Sequence, residues 1–183
     1  MLSRREAFAG LALSFGLASD GVVGQAWAAP APAPIAWTPK ALTPEQARAL
    51  DTVAELIVPA TDTPGARAVG VPQFIDRAVG TWCDAGQAKL LRSGLDQLDV
   101  DARAAHGAAF VDLSPAQQTA LLTRYDTGGD PQRPFFSLLK ELTTIGYFTS
   151  KTGATVTLRY DPVPGDYRGC VPLKEIGRAW ATS

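Results

Sequence analysis

Histidine is nearly absent from this 183-residue chain: His106, in the alanine-rich stretch RAAHGAAF, is the single one. Cysteine is scarce too, with only Cys83 and Cys170. Two distant thiols and one imidazole do not supply a four-ligand zinc site, and no C-x-x-C-H haem attachment sequence occurs. No G-x-S-x-G places a serine on a strained turn beside the histidine, which argues against a Ser-His-Asp hydrolase. Neither G-x-G-x-x-G after a strand nor G-x-x-x-x-G-K-[ST] is present, so both nucleotide fingerprints are missing. Charge of one sign is also lacking: 17 Lys plus Arg stand against 18 Asp plus Glu. That balance gives no basic stripe for nucleic acid and no acidic tail. We therefore assign no catalytic, cofactor-binding or metal-ligating residue in this chain and expect no nucleic-acid partner. His106 reads as a surface residue near a helix end. Asp96 and Asp99 share a helix face that Asp101 does not, and without a glycine turn they read as a solvated face rather than a calcium loop. Asp161 and Asp166, flanking Pro-Val-Pro-Gly, read as turn chemistry.

Long hydrophobic runs are missing as well. The most apolar stretch, Ala7 to Val23, is interrupted by Ser14, Ser19, Asp20 and three glycines, and is weaker than the roughly 20 strongly apolar residues a spanning helix needs. It follows Arg4 and Arg5 and precedes the small-x-small site Ala26-Trp27-Ala28, the layout of a cleaved secretory signal over residues 1–28. A retained N-terminal anchor is the alternative. Ser3-Arg4-Arg5 followed by Phe8 resembles a twin-arginine signal, a receptor-read address for export of folded proteins. Residues 29–41, APAPAPIAWTPKA, form an extended, semi-rigid linker. The domain then covers residues 42–183, enough for one real core.

Within it, apolar residues recur at helical spacing. Thr43, Pro44 and Gln46 make a capping box with proline at the first helical position. Leu50, Val53, Ala54 and Ile57 follow, and Pro59 ends the helix. TDTPGARAVGVP (61–72) is a loop. Pro72 opens a second helix with Phe74, Ile75, Ala78, Val79 and Trp82 on its inner face. A third spans about 85–105 on Leu91, Leu95, Leu98 and Ala102, where Gly94 costs about 1 kcal/mol relative to alanine. Ser114 to Gln117 repeats the capping box ahead of Leu121, Leu122 and Tyr125, and Gly128-Gly129 stops that helix. Pro134 opens a fifth, to about Tyr147, on Phe135, Leu138, Leu139, Leu142 and Ile145. Only Val156 to Tyr160 alternates weakly at period two. The predicted class is all-α, about five helices in one small domain, with an irregular tail from about residue 150. Irregular segments of that length are functional or disordered, and this one is aromatic rather than highly charged.

Export would place the cysteines where disulfides persist. A Cys83–Cys170 bridge, whose chain-entropy contribution is about 4–5 kcal/mol, is the leading expectation; a bridge to a partner subunit and two free thiols stay open.

LTPEQARALDTVAELIVPATDTPGARAVGVPQFID and, more specifically, GYFTSKTGATVTLRYDPVPGDYRGCVPL resemble the gluconate 2-dehydrogenase subunit 3 family over residues 42–173. The resemblance implies a small non-catalytic subunit that holds no cofactor. FAD would lie in a large dehydrogenase subunit that oxidises a sugar or sugar acid, and haem c in a cytochrome subunit where one exists. It implies a periplasmic complex, membrane-associated through partner subunits. This chain would escort the flavoprotein through the twin-arginine translocon. Tyr147, Tyr160, Tyr167, Arg168 and Trp180 are the expected partner anchors, since Tyr, Trp and Arg are enriched at hot spots. The competing expectations are a stand-alone periplasmic helical enzyme or ligand-binding protein, and a structural envelope protein.

Overall fold

A computed structural model describes residues 35–163, 165–166 and 170–181. Five helices of more than ten residues build the domain: α1 (Pro44–Ile57), α2 (Val71–Thr81), α3 (Ala85–His106), α4 (Pro115–Asp126) and α5 (Arg133–Phe148). A 3-10 turn, Phe110–Asp112, lies between α3 and α4. A π-helical turn, Gly153–Thr157, follows α5, and a short helix α6 (Leu173–Ile176) lies in the tail. No strand occurs among the described residues beyond one isolated parallel bridge, Arg159 to Trp180. The chain is all-α, as expected.

Local chemistry sets the helix starts. Thr43 Oγ1 accepts from Gln46 N (3.2 Å) while Gln46 Oε1 accepts from Thr43 N (3.1 Å). Ser114 and Gln117 repeat this at α4. Asp84 and Gln87 do so at α3, a third box that the sequence reading passed over. Each cap satisfies amides that the first helical turn leaves without partners. Gly107, at φ 76°, ends α3 in the left-handed conformation, which glycine adopts without steric cost.

The core is continuous. Leu50, Val53 and Ala54 of α1, Ile75 and Val79 of α2, Leu91, Leu95, Leu98 and Ala102 of α3, and Leu121, Leu122 and Tyr125 of α4 surround Phe135, Leu139 and Leu142 of α5. Helix α5 touches all four other long helices. Each such large side chain stabilises the fold by about 1.5–3 kcal/mol when fully buried.

Two expected inner-face positions turn outward, and a third is only partly covered. Trp82 is 54 % exposed and Ile145 40 %, and Phe74 is half-buried. Trp82 sits where the chain leaves α2, at φ −131°, and its ring tilts over Phe74 at 6.0 Å. On α5 it is Gly146 that faces α2: a Cβ there would lie 2.6 Å from Phe74 Cδ1. The face in contact with α2 is thus centred on Gly146, and Ile145, one residue earlier on the helix, lies on its rim. The weakly alternating segment is no strand either, since Val156 and Thr157 belong to the π-helical turn.

Candidate functional site

The acidic residues singled out by sequence serve the fold. Asp96 accepts Gln46 Nε2 at 2.9 Å. Asp99 accepts Phe110 N at 2.9 Å and Arg103 at 3.4 Å. Asp101 accepts Gln97 Nε2 at 2.7 Å, the Tyr125 hydroxyl at 2.9 Å and the Arg124 guanidinium. Burial pushes the Asp101 carboxyl up, but the hydrogen bonds from Gln97 and Tyr125, together with Arg124, outweigh it and leave it below its ordinary value. Burial and the Asp101 bond raise the Tyr125 phenol. His106 lies exposed at the end of α3, with Nδ1 3.3 Å from Gln117 Nε2. No group of three or more potential metal ligands converges among the described residues.

What remains is surface. Of the exposed large apolar residues, Val100 lies on α3; Trp82, Ile145 and Phe148 lie on or at the C-terminal ends of α2 and α5; Val156, Tyr160, Val163 and Trp180 lie in the tail. The tail is mounted on α5 at close quarters. A Cβ on Gly153 would stand 2.0 Å from the Tyr147 carbonyl oxygen, so only glycine permits the π-helical turn to seat there. The tail then closes on itself. Arg159 N donates to Ala179 O and Ala181 N to Arg159 O, both at 2.8 Å. The Arg159 guanidinium lies over the Trp180 ring at 4.3 Å, and Arg178 donates to Val156 O. Tyr160 (52 % exposed) and Val163 (80 %), just past the Arg159 contacts, stay exposed.

The expected anchors fare differently. Tyr160 and Trp180 (44 % exposed) are on the surface, Trp180 with one ring face covered by Arg159. Tyr147 is not: it is 1 % exposed. Its hydroxyl donates to Pro64 O at 2.8 Å and lies 3.1 Å from Thr157 Oγ1. It points into the buried side of α5 with Leu139 and Thr143, so it is a core residue rather than a surface anchor. Tyr167 and Arg168 lie outside the described residues, as do Arg4, Arg5 and Phe8 of the signal and Ala26 and Ala28 of the cleavage site. The Cys83–Cys170 bridge is not formed: both thiols are free. Cys83 is half-buried at the end of α2, with its backbone amide bonded to Ala78 O, while Cys170 is exposed in the tail. Burial and the neighbouring Asp84 raise the Cys83 thiol above its ordinary value.

Trp82, Ile145 and Phe148 were missed as surface candidates. The sequence signal that could have found Ile145 was Gly146, a small residue where an apolar face needs a close approach.

The fold and this surface define a small helical protein most of whose apolar exposure, among the described residues, lies at the C-terminal ends of α2 and α5 and in the tail. The family pattern of gluconate 2-dehydrogenase subunit 3 matches residues 44–165. No curated protein and no solved structure matches. The match covers most of the chain, from the first helix into the tail, and the chain belongs to the gluconate 2-dehydrogenase subunit 3 family. It is accordingly a small subunit of a dehydrogenase complex, a component of an oxidoreductase.

Proposed function

We propose that this subunit performs no chemistry itself but stabilises a large FAD-dependent dehydrogenase subunit, which oxidises a sugar or sugar acid, and escorts it to the periplasm. FAD would be held by the large subunit, and haem c by a cytochrome subunit where the complex has one. Arg4, Arg5 and Phe8 would direct the pair to the twin-arginine translocon, with cleavage after Ala28. The observation that carries the reading is the family membership together with the surface just described. Single exposed apolar residues are ordinary, but their gathering on one tail and the adjoining helix ends is the pattern of a protein-binding face. The acidic and histidine side chains described above are occupied in caps, ion pairs and helix-end contacts, which fits a binding role.

Affinity purification of the tagged chain from periplasm tests this directly. A large subunit with flavin absorbance should co-elute. Recovery of the chain alone, with sugar-dependent dye reduction by that isolated chain, would overturn the proposal. Replacing Arg4 and Arg5 together with lysine should leave both subunits in the cytoplasm; undiminished periplasmic dehydrogenase activity would refute the escort role.

A further inference from the structure

Buried carboxylates are rare because ionised groups lose much hydration on burial, and Asp76 of α2 is one, at 4 % exposure. Its partners are not cations but three consecutive backbone amides from a segment far away in sequence. Lys40 N donates to Oδ2 at 2.9 Å; Ala41 N and Leu42 N donate to Oδ1, each at 3.0 Å. Successive amides turned to one anion make a nest, here filled by the protein's own side chain. The same junction is gripped from α3: Arg92 Nε donates to Ala41 O at 3.2 Å. Gln46, whose side chain closes the α1 capping box, donates through Nε2 to Asp96 of α3. Just upstream, Trp37 carries its indole nitrogen out of solvent.

We propose that these contacts form a latch that ties retention of the N-terminal segment to completion of the fold. Asp76 comes from α2, Arg92 and Asp96 from α3, and the cap from α1. The amides of Lys40, Ala41 and Leu42 are held by α2 alone, while α3 holds the Ala41 carbonyl through Arg92 and the α1 cap through Asp96, so the junction as a whole closes only when all three helices have packed. The Lys40–Ala41 peptide bond lies inside the latch although the Lys40 side chain is exposed. A protease must draw several residues into an extended conformation, which the closed latch prevents. A chain whose helices have not assembled presents that bond and is cut there; a folded chain is not cut at that bond. The latch stands on these contacts alone, whatever that segment does.

Native-state hydrogen exchange on the full-length chain tests this without a mutation. The amides of Ala41 and Leu42 should exchange in step with those of α2. Exchange at the rate of an unprotected amide while the α2 amides stay protected would overturn the latch, since bonds to a carboxylate should slow exchange by about tenfold or more. Limited trypsinolysis supplies the second arm. Asp76→Ala should accelerate cleavage at Lys40–Ala41 by about tenfold or more while far-UV circular dichroism keeps its helical signal. Arg92→Ala combined with Asp96→Ala, which removes both α3 side-chain contacts, should do so by a smaller factor in a chain that remains folded. Unchanged cleavage at Lys40–Ala41 in that folded double variant would exclude α3 from the latch and refute the three-helix form of the proposal.

Discussion

Replacing Gly94 with alanine sets two physical effects of known sign against each other. Gly94 lies within α3 and is buried there. Helix propensity alone favours alanine by about 1 kcal/mol. Against this, a Cβ at Gly94 would sit 2.1 Å from Phe135 Cγ and 2.2 Å from Cδ2. Carbon atoms reach their best separation at about 3.5–4.0 Å, so the ring or the α3–α5 spacing must give by well over an ångström. Phe135 is fully buried and meets the Tyr125 ring edge-on at 6.4 Å, and the Tyr125 hydroxyl is fixed on Asp101. The ring therefore has little room to turn aside. Overpacking of this kind costs about 1–3 kcal/mol or more, and with the ring confined the upper end applies. The net effect is a loss of about 2 kcal/mol, a fall in Tm of about 4–8 °C for a domain of this size. Thermal and urea unfolding followed by circular dichroism measure it. Adding Phe135→Leu should recover part of the loss, because the smaller side chain vacates the space; a double-mutant cycle isolates that coupling. A rise in Tm for Gly94→Ala alone would show that propensity wins, and that α3 and α5 do not meet at this point.

Two further outcomes follow from the titrating groups. The folded-state carboxyl of Asp101 lies below its ordinary value, so its contribution is fully present above the unfolded value of about 4 and is lost as pH falls through the folded one. Asp101→Asn should therefore cost about 1 kcal/mol at neutral pH and flatten the acid limb of the stability curve; an unaltered slope below pH 4 would refute the assignment. Both cysteines should alkylate under native, non-reducing conditions, exposed Cys170 first. Cys83 should lag, and gain more steeply with rising pH, because its thiol is raised by burial and by Asp84. A linked Cys83–Cys170 peptide pair in mass spectrometry would contradict the free thiols.

Helix starts were legible in the sequence because a cap is a local device. Thr43 with Gln46, and Ser114 with Gln117, announce α1 and α4 within four residues, and proline at the first turn strengthens both. The stripes of α1 and α3 were legible for a similar reason: Leu50 and Val53, or Leu91, Leu95 and Leu98, leave one possible face. What sequence does not carry is the partner across the seam. Gly94 reads as a weak point in a helix until Phe135 is seen lying over it. The inner face of α5 reads as including Ile145 until Phe74 is found against Gly146, which turns the contact face by one residue. Asp76 gave no signal at all, because a lone aspartate in an amphipathic helix does not reveal that three amides more than thirty residues upstream will turn towards it. Among the expected anchors, aromatic character pointed to Tyr147 as readily as to Tyr160, since exposure is decided by the angular position on α5 and not by residue type.

Tyr147 in turn shows how the tail is attached. After Ser150, Gly153 is the one buried residue among those described, so little apolar burial holds this segment to the bundle, and segments of that kind open locally at low free-energy cost. The Tyr147 hydroxyl has one proton, which it donates to Pro64 O, leaving its oxygen to accept from Thr157 Oγ1. One buried phenol thus joins the 61–70 loop, α5 and the root of the tail. Tyr147→Phe keeps the ring and its edge-on contact with Phe148 at 5.2 Å and removes only those two bonds. Each neutral bond contributes about 0.5–1.5 kcal/mol, so global stability should fall by about 1–3 kcal/mol. Trypsin cleavage at exposed Lys151, just ahead of the π-helical turn, should accelerate severalfold. Capture of the proposed large subunit should weaken as well, even though Tyr147 itself has almost no surface to offer it. If Tyr147→Phe weakens capture while cleavage at Lys151 and the unfolding midpoint stay unchanged, the hydroxyl acts on the partner directly and the brace is the wrong description.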